Sequence, residues 1–184
     1  MSIILQGSTS GSVTLQEPAV AGTTVLDLPA TSGTLDRTNR AGNVLQVVQT
    51  AYTTADSTTA AGPSSFSSTG CTASITPTSS SNKILAMLSM ATHHASAAMN
   101  GGARIMRGSS AAFSGITLDY WVPGPGSGIS GNINIQWLDS PNTTSSTTYT
   151  AQFSTWGGGT LRINLDYNGN NNGVTYLTLL EIAA

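Results

Sequence analysis

Charge is what this chain has least of. Only 8% of its 184 residues are Asp, Glu, Lys or Arg, against about 25% in an ordinary globular protein. The polar surface must therefore be built from Ser, Thr, Asn and Gln. With 20 glycines, that mixture suits strands and turns and disfavours exposed helices. Weak charge also lets copies pack closely, because little repulsion opposes them. The six basic residues are scattered and the net charge is -2. No basic patch exists to neutralise phosphates, so nucleic-acid binding is not expected. A single cysteine, Cys71, excludes an internal disulfide and fits a reducing compartment. Among Ser and Thr neighbours it reads as a small buried residue rather than a nucleophile. No apolar run reaches the length of a membrane span, so insertion is not expected. Ile3-Ile4-Leu5 is too short for a signal peptide and lacks a basic flank, which points to maturation in a cytosol.

What the chain does have is β patterning, densest over residues 147–182. Three consecutive antiparallel strands are expected there, over 147–156, 160–167 and 174–182. Gly157-Gly158-Gly159 and the Asn-rich stretch 168–173 supply the turns. The middle strand alternates, with Leu161, Ile163, Leu165 and Tyr167 on one face. The last does not. Val174, Tyr176, Leu180 and Ile182 point one way, while Leu177 and Leu179 point the other. Residues 83–92 repeat the pattern, with Ile84, Ala86, Leu88 and Met90 opposed to Leu85 and Met87. Ala, Leu and Met there also suit a helix. The preceding Pro77, the Ser run and the missing cap favour a strand.

A half-buried strand in a lone sandwich keeps one polar face. Two strands apolar on both faces need a second cover, and no helix is available to supply it. The expectation is another copy of the chain. Residues 84–90 and 174–182 would pair in one sheet facing a symmetry axis, with Ile84, Leu88, Met90, Tyr176, Leu180 and Ile182 as the axis residues. Further strands are expected over 43–51, 72–76, 103–108, 116–122 and 131–138, and a long loop over 53–68. About eight evenly spaced strands joined by Gly, Pro and Asn turns argue for an all-β fold, a jelly-roll β-sandwich over residues 43–184.

Residues 1–40 read as a separate extended β arm. Short strands are expected at 2–6, 12–16 and 23–28, punctuated by Pro18, Gly22, Pro29 and Gly33. Such short strands enclose no core of their own, yet carry too many aliphatics for a plain linker. Residues 34–43, with Asp36, Arg37 and Arg40, read as a solvated hinge.

The stretches Gly7-Ser8-Thr9-Ser10-Gly11-Ser12-Val13-Thr14-Leu15-Gln16, Pro18-Ala19-Val20-Ala21-Gly22-Thr23-Thr24 and Leu28-Pro29-Ala30-Thr31-Ser32-Gly33-Thr34-Leu35 resemble a segment of tail-fibre and appendage proteins of tailed bacteriophages. That resemblance implies an arm for virion attachment or for threading a trimer, through Ile3, Leu5, Val13, Leu15, Val25, Leu26 and Leu28. Residues 77–92, Arg104-Ile105-Met106-Arg107-Gly108, Asp139-Ser140-Pro141, 149–153 and Leu177-Thr178-Leu179-Leu180-Glu181-Ile182 are similar to a small domain of phage virion and fibre proteins. This second resemblance implies a TNF-like trimeric jelly roll. The expected partners are two further copies and other phage virion proteins of head or tail. The expected location is the virion, assembled in a bacterial cytoplasm.

No catalytic constellation stands out, and neither a cofactor nor a metal is expected. Adjacent His93 and His94 point to opposite faces of a strand, so one chain cannot chelate with both. Three copies of one of them around a threefold axis could. Asp119, Asp139, Asp166 and Glu181 are the acids a sugar-cleaving reaction could draw on, but each reads first as a solvated or locally paired carboxylate. Tyr120 and Trp121 beside the Pro-Gly loop, with Asn170 and Asn171, are candidates for contact with a host surface glycan. Trp121 and Trp137 read first as sandwich filling. The expectation is a non-enzymatic phage structural protein, a trimeric fibre or appendage. The alternatives are a capsid decoration protein and, last, a glycan depolymerase.

Overall fold

A computed structural model of the chain describes residues 3–16, 19–20, 40–94, 100–112, 117–119, 129–156, 158–165 and 168–184. The chain divides into two compact units, Met1–Asp36 and Arg37–Ala184. In the first, β1 (Ile3–Gln6) and β2 (Ser12–Leu15) form an antiparallel hairpin. Gly7 N–H donates to the Gly11 carbonyl at 2.8 Å. Gly11 holds a φ of 77°, a left-handed turn geometry that glycine takes without strain. The expected strand at 23–28, with Val25, Leu26 and Leu28, lies outside the described residues.

The second unit is all-β. It comprises β3 (Val44–Tyr52), β4 (Asp56–Thr58), β5 (Ser67–Ile75), β6 (Lys83–His94), β7 (Asn100–Arg107), β8 (Ser110–Ala111), β9 (Thr117–Asp119), β10 (Ile129–Asp139), β11 (Thr147–Trp156), β12 (Leu161–Ile163) and β13 (Thr175–Ile182). In the six-stranded sheet β3, β13, β6, β12 and β4 follow in order, and β10 pairs the other edge of β6. In the five-stranded sheet β5, β11, β7 and β8 follow in order, with β9 also on β7. Among the long-range partners, β3 takes β13, β5 takes β11, β6 takes β10 and β7 takes β9. That nesting is a β-ribbon folded double, the winding of a jelly roll. The short β4 and β12 pair with each other and lengthen the six-stranded sheet.

Both sheets turn one side chain in two toward a shared core. Ile84, Ala86, Leu88, Met90, Ile133, Ile135, Leu177 and Leu179 from one sheet meet Cys71, Ile75, Ile105, Tyr149, Ala151 and Phe153 from the other. Gly70 of β5 lies against the Tyr52 ring, and a Cβ there would come within 2.6 Å of it. The missing side chain lets Tyr52 close one margin of the sandwich.

Three expectations are corrected. The C-terminal strands are not a meander, because β11 belongs to one sheet while β12 and β13 belong to the other. A sandwich satisfies each strand with a partner distant in sequence, which alternation along one strand cannot reveal. The middle strand stops at Ile163, because Asn164 turns to a φ of 62° and leaves the ladder. The loop 53–68 contains β4 and the start of β5.

Candidate functional site: the outer face of the six-stranded sheet

Strand register decides what this face carries. The pairing of β13 with β6 sets Leu177 opposite Leu88 and Leu180 opposite Leu85. Ile84, Leu88 and Met90 are 0–2% exposed and sit in the core. They face inward with Leu177 and Leu179, not outward with Tyr176, Leu180 and Ile182. Their assignment to an axis is therefore corrected: within β6 the outward residues are Leu85 and Met87. The two apolar sets of each strand were separable by parity. Which set of one strand matches which set of the next depends on register, and a one-residue slip exchanges them.

Following the register across four strands gives rows on the outer face. One row runs Leu138 on β10, Leu85 on β6, Leu180 on β13 and Val47 on β3. Every member is aliphatic. Leu138 is 53% exposed and Val47 is 59% exposed, while Leu85 and Leu180 are half-buried. The next row is Gln136, Met87, Thr178 and Gln49, and Gln49 Nε2 donates to Thr178 Oγ1 at 2.8 Å. The third is Asn134, Ser89, Tyr176 and Ala51. A groove of about 310 Å³ opens between the second and third rows, beside Tyr176. Ile182 lies half-buried beyond the aliphatic row, opposite Lys83. Lys83 Nζ is turned to Ser140 Oγ at 2.8 Å.

Two of the candidate acids, Glu181 and Asp139, are engaged within the fold. Glu181 is fully buried on the inner face of β13. Its Oε1 accepts from Thr78 N–H at 2.6 Å, Thr78 Oγ1 at 2.8 Å and Asn82 Nδ2 at 2.6 Å. Its Oε2 accepts from Gln46 Nε2 at 2.5 Å. Burial works to raise this carboxyl, but the donors of Asn82, Gln46 and Thr78 outweigh it and bring it down to about 2. The carboxylate thereby ties the turn before β6 and strand β3 to β13. Asp139 Oδ2 accepts from Arg107 Nη1 and from Tyr149 Oη, each at 2.7 Å, joining β10 to β7 and β11 across the two sheets. Burial, with Asp139 beside it, pushes the Tyr149 phenol up. These carboxylates hold strands together, and no open pair of acids is formed by them. The side chains of Asp119 and Asp166 lie outside the described residues.

Cys71 is buried in the core, and burial pushes its thiol up to about 11. His93 and His94 are both buried, with His93 Nδ1 3.1 Å from Ser130 Oγ. Among the described residues no three His, Cys, Asp or Glu side chains cluster as metal ligands. Asn170 and Asn171 are exposed in the turn before β13. Tyr120 and Trp121 lie outside the described residues. Trp137 is not sandwich filling throughout, being 38% exposed on β10.

Asn164 escaped the sequence reading. It is fully buried. Its Nδ2 donates to the carbonyls of Tyr52 and Thr54, each at 2.9 Å, and its Oδ1 accepts from Thr175 Oγ1 at 2.9 Å. It pins the loop after β3 to the start of β13. An Asn in a polar, Asn-rich stretch gives no signal of that duty. The cage around Glu181 was equally hidden, because its donors lie about a hundred residues away.

No protein-family model matches the chain, and no characterised protein matches it in sequence. Among solved structures it is similar to proteins of infectious bursal disease virus. One, from the Gt strain, is 16% identical, with a TM-score of 0.40 over 97% of this chain and 46% of that one. A second, the VP2 subviral particle, is 15% identical, with a TM-score of 0.42 over 95% of this chain and 44% of that one. The chain spans less than half the length of these proteins.

Proposed function

We propose that this chain is a non-enzymatic structural protein of a phage particle, whose head (residues 43–184) assembles as a homotrimer through the outer face of the six-stranded sheet. The aliphatic row of Leu138, Leu85, Leu180 and Val47 carries the reading. A row of aliphatics across four neighbouring strands is what an interface between copies covers. Covering it gains on the order of 1–2 kcal/mol per side chain. Tyr176 and Ile182 extend the surface on either side of the row. The scarcity of charge supports the same reading, since three copies meet with little repulsion.

The resemblance to phage fibre and virion proteins supplies the setting. The segment 1–40 joins the head to other virion proteins, and the exposed turn with Asn170 and Asn171 faces the host surface glycan. The protein is assembled in the bacterial cytoplasm and works on the virion. Light scattering of the purified full chain tests the assembly: a mass of three copies is expected, and a monomer at all concentrations overturns it. Gold-labelled antibody on intact particles tests the setting. Label on a fibre or appendage is expected, whereas dense label over the whole shell makes the protein a decoration protein instead.

A further inference from the structure

The hairpin β1–β2 has two unlike faces. Register sets Ile3 opposite Leu15 and Leu5 opposite Val13, and these positions share one face. Ile4 opposite Thr14 and Gln6 opposite Ser12 make the other. Ile3, Leu5 and Val13 are 55–61% exposed. A two-stranded hairpin is marginal in water without a cover for its apolar face.

The size and charge of that face select its occupant. Three aliphatic side chains exposed to this degree offer on the order of 200 Å², at the area a fully buried aliphatic represents. A stable complex between free proteins buries about 800 Å² on each partner. A freely diffusing partner would gain too little here to stay bound. A partner already tethered nearby needs far less, because tethering replaces the cost of encounter with a high effective concentration. Residues 1–16 also carry no Asp, Glu, Lys or Arg, so nothing in the hairpin repels its own duplicate or selects a charged partner.

We infer that the hairpins of assembled copies pack their Ile3–Leu5–Val13 faces against one another, as a second contact between copies of this chain. The inference rests on the trimer reading above, which supplies the tether. The hairpin's polar edge and the residues that follow are left to meet the rest of the particle.

Thiol mapping on the full chain tests it. The native Cys71 is buried, so an introduced thiol is the reactive one. Leu5→Cys places it on the apolar face and Ser12→Cys on the polar face. With Leu5→Cys, mild oxidation is expected to link chains in pairs at every dilution at which the trimer persists. Its maleimide labelling should run several-fold slower than that of Ser12→Cys, which should stay unlinked. A trimeric mass with Leu5→Cys unlinked and labelled as fast as Ser12→Cys overturns the inference alone, and leaves the face to a different virion protein. A monomeric mass for the unmodified chain with neither variant linked overturns the trimer reading, and the inference with it. Equal linking by both variants overturns the choice of face.

Discussion

The two outer faces of the sandwich are built on the same alternation and differ by one aliphatic row. On the six-stranded sheet the outward positions of β3, β13, β6 and β10 line up as Val47, Leu180, Leu85 and Leu138. On the five-stranded sheet the outward positions of β5 and β11 line up as Ser74 with Thr148, Thr72 with Thr150, and Ser68 with Gln152. The first and last of these pairs are joined by side-chain hydrogen bonds. Ser74 Oγ and Thr148 Oγ1 are 2.7 Å apart, Gln152 Nε2 donates to Ser68 Oγ at 2.8 Å, and Arg104 Nε donates to Gln152 Oε1 at 2.8 Å. The Arg104 guanidinium also stacks over the Phe66 ring at 4.1 Å, an attraction that holds its charge in place. One face is closed by its own polar pairs, while the other keeps Leu138 and Val47 more than half exposed. In a chain with so few charges, hydroxyls and amides stand in for Lys and Glu on both faces, so the aliphatic row is what separates the two.

Substitutions break or sharpen that contrast, beginning with the severest. Leu88→Asp puts a charge in the core and should cost about 4 kcal/mol or more. Circular dichroism should show an unfolded or aggregated chain; a cooperative melt near that of the unmodified protein would contradict the inward placement. Leu180→Asp, on the same sheet but facing out, should keep the strand spectrum and lose the trimer, read as a monomeric mass by light scattering. Persistence of the trimer would remove the aliphatic row as the contact.

Glu181→Gln probes the inner face of the strand that carries Leu180. It should cost about 2 kcal/mol in urea melts at neutral pH, because donors aimed at a carboxylate lose their acceptor's charge. The pH dependence has a definite sign. The folded carboxyl sits near 2, below its ordinary 4.5. Its stabilisation is therefore complete above about 4.5 and is lost as pH falls through about 2. The difference between the two proteins should shrink over that window, and a difference constant from pH 7 to 2 would rule out the cage. Thr148→Asp, on the polar face, should change stability by no more than about 0.5 kcal/mol and leave the mass untouched. Loss of the trimer there would place the contact on the wrong sheet.

Much of the strand content was open to reading in the sequence. The run 147–156 coincides with β11, and 83–92 falls within β6 although Ala, Leu and Met favour helix. Alternation is a local property, and it showed which residues of one strand share a side. It could not show that Ile84 shares its side with Leu177 rather than with Tyr176, because that follows from pairing between segments nearly a hundred residues apart. Asp139 and Glu181 were noticed as rare acids, but their partners Tyr149, Arg107, Asn82 and Gln46 come from other strands and turns. Tertiary pairing assigns them their duty, and no spacing along the chain announces it.

The position of β13 carries a consequence for how the head is made. It lies between β3 and β6, yet it follows both on the ribosome by many residues. The earliest strand of the head therefore waits with an unfilled backbone ladder until synthesis reaches residues 175–182. A polypeptide interrupted before that point exposes the raw edges of β3 and β6. The order of winding itself thus withholds the closed sandwich from incomplete products, at the expense of slow, non-local folding.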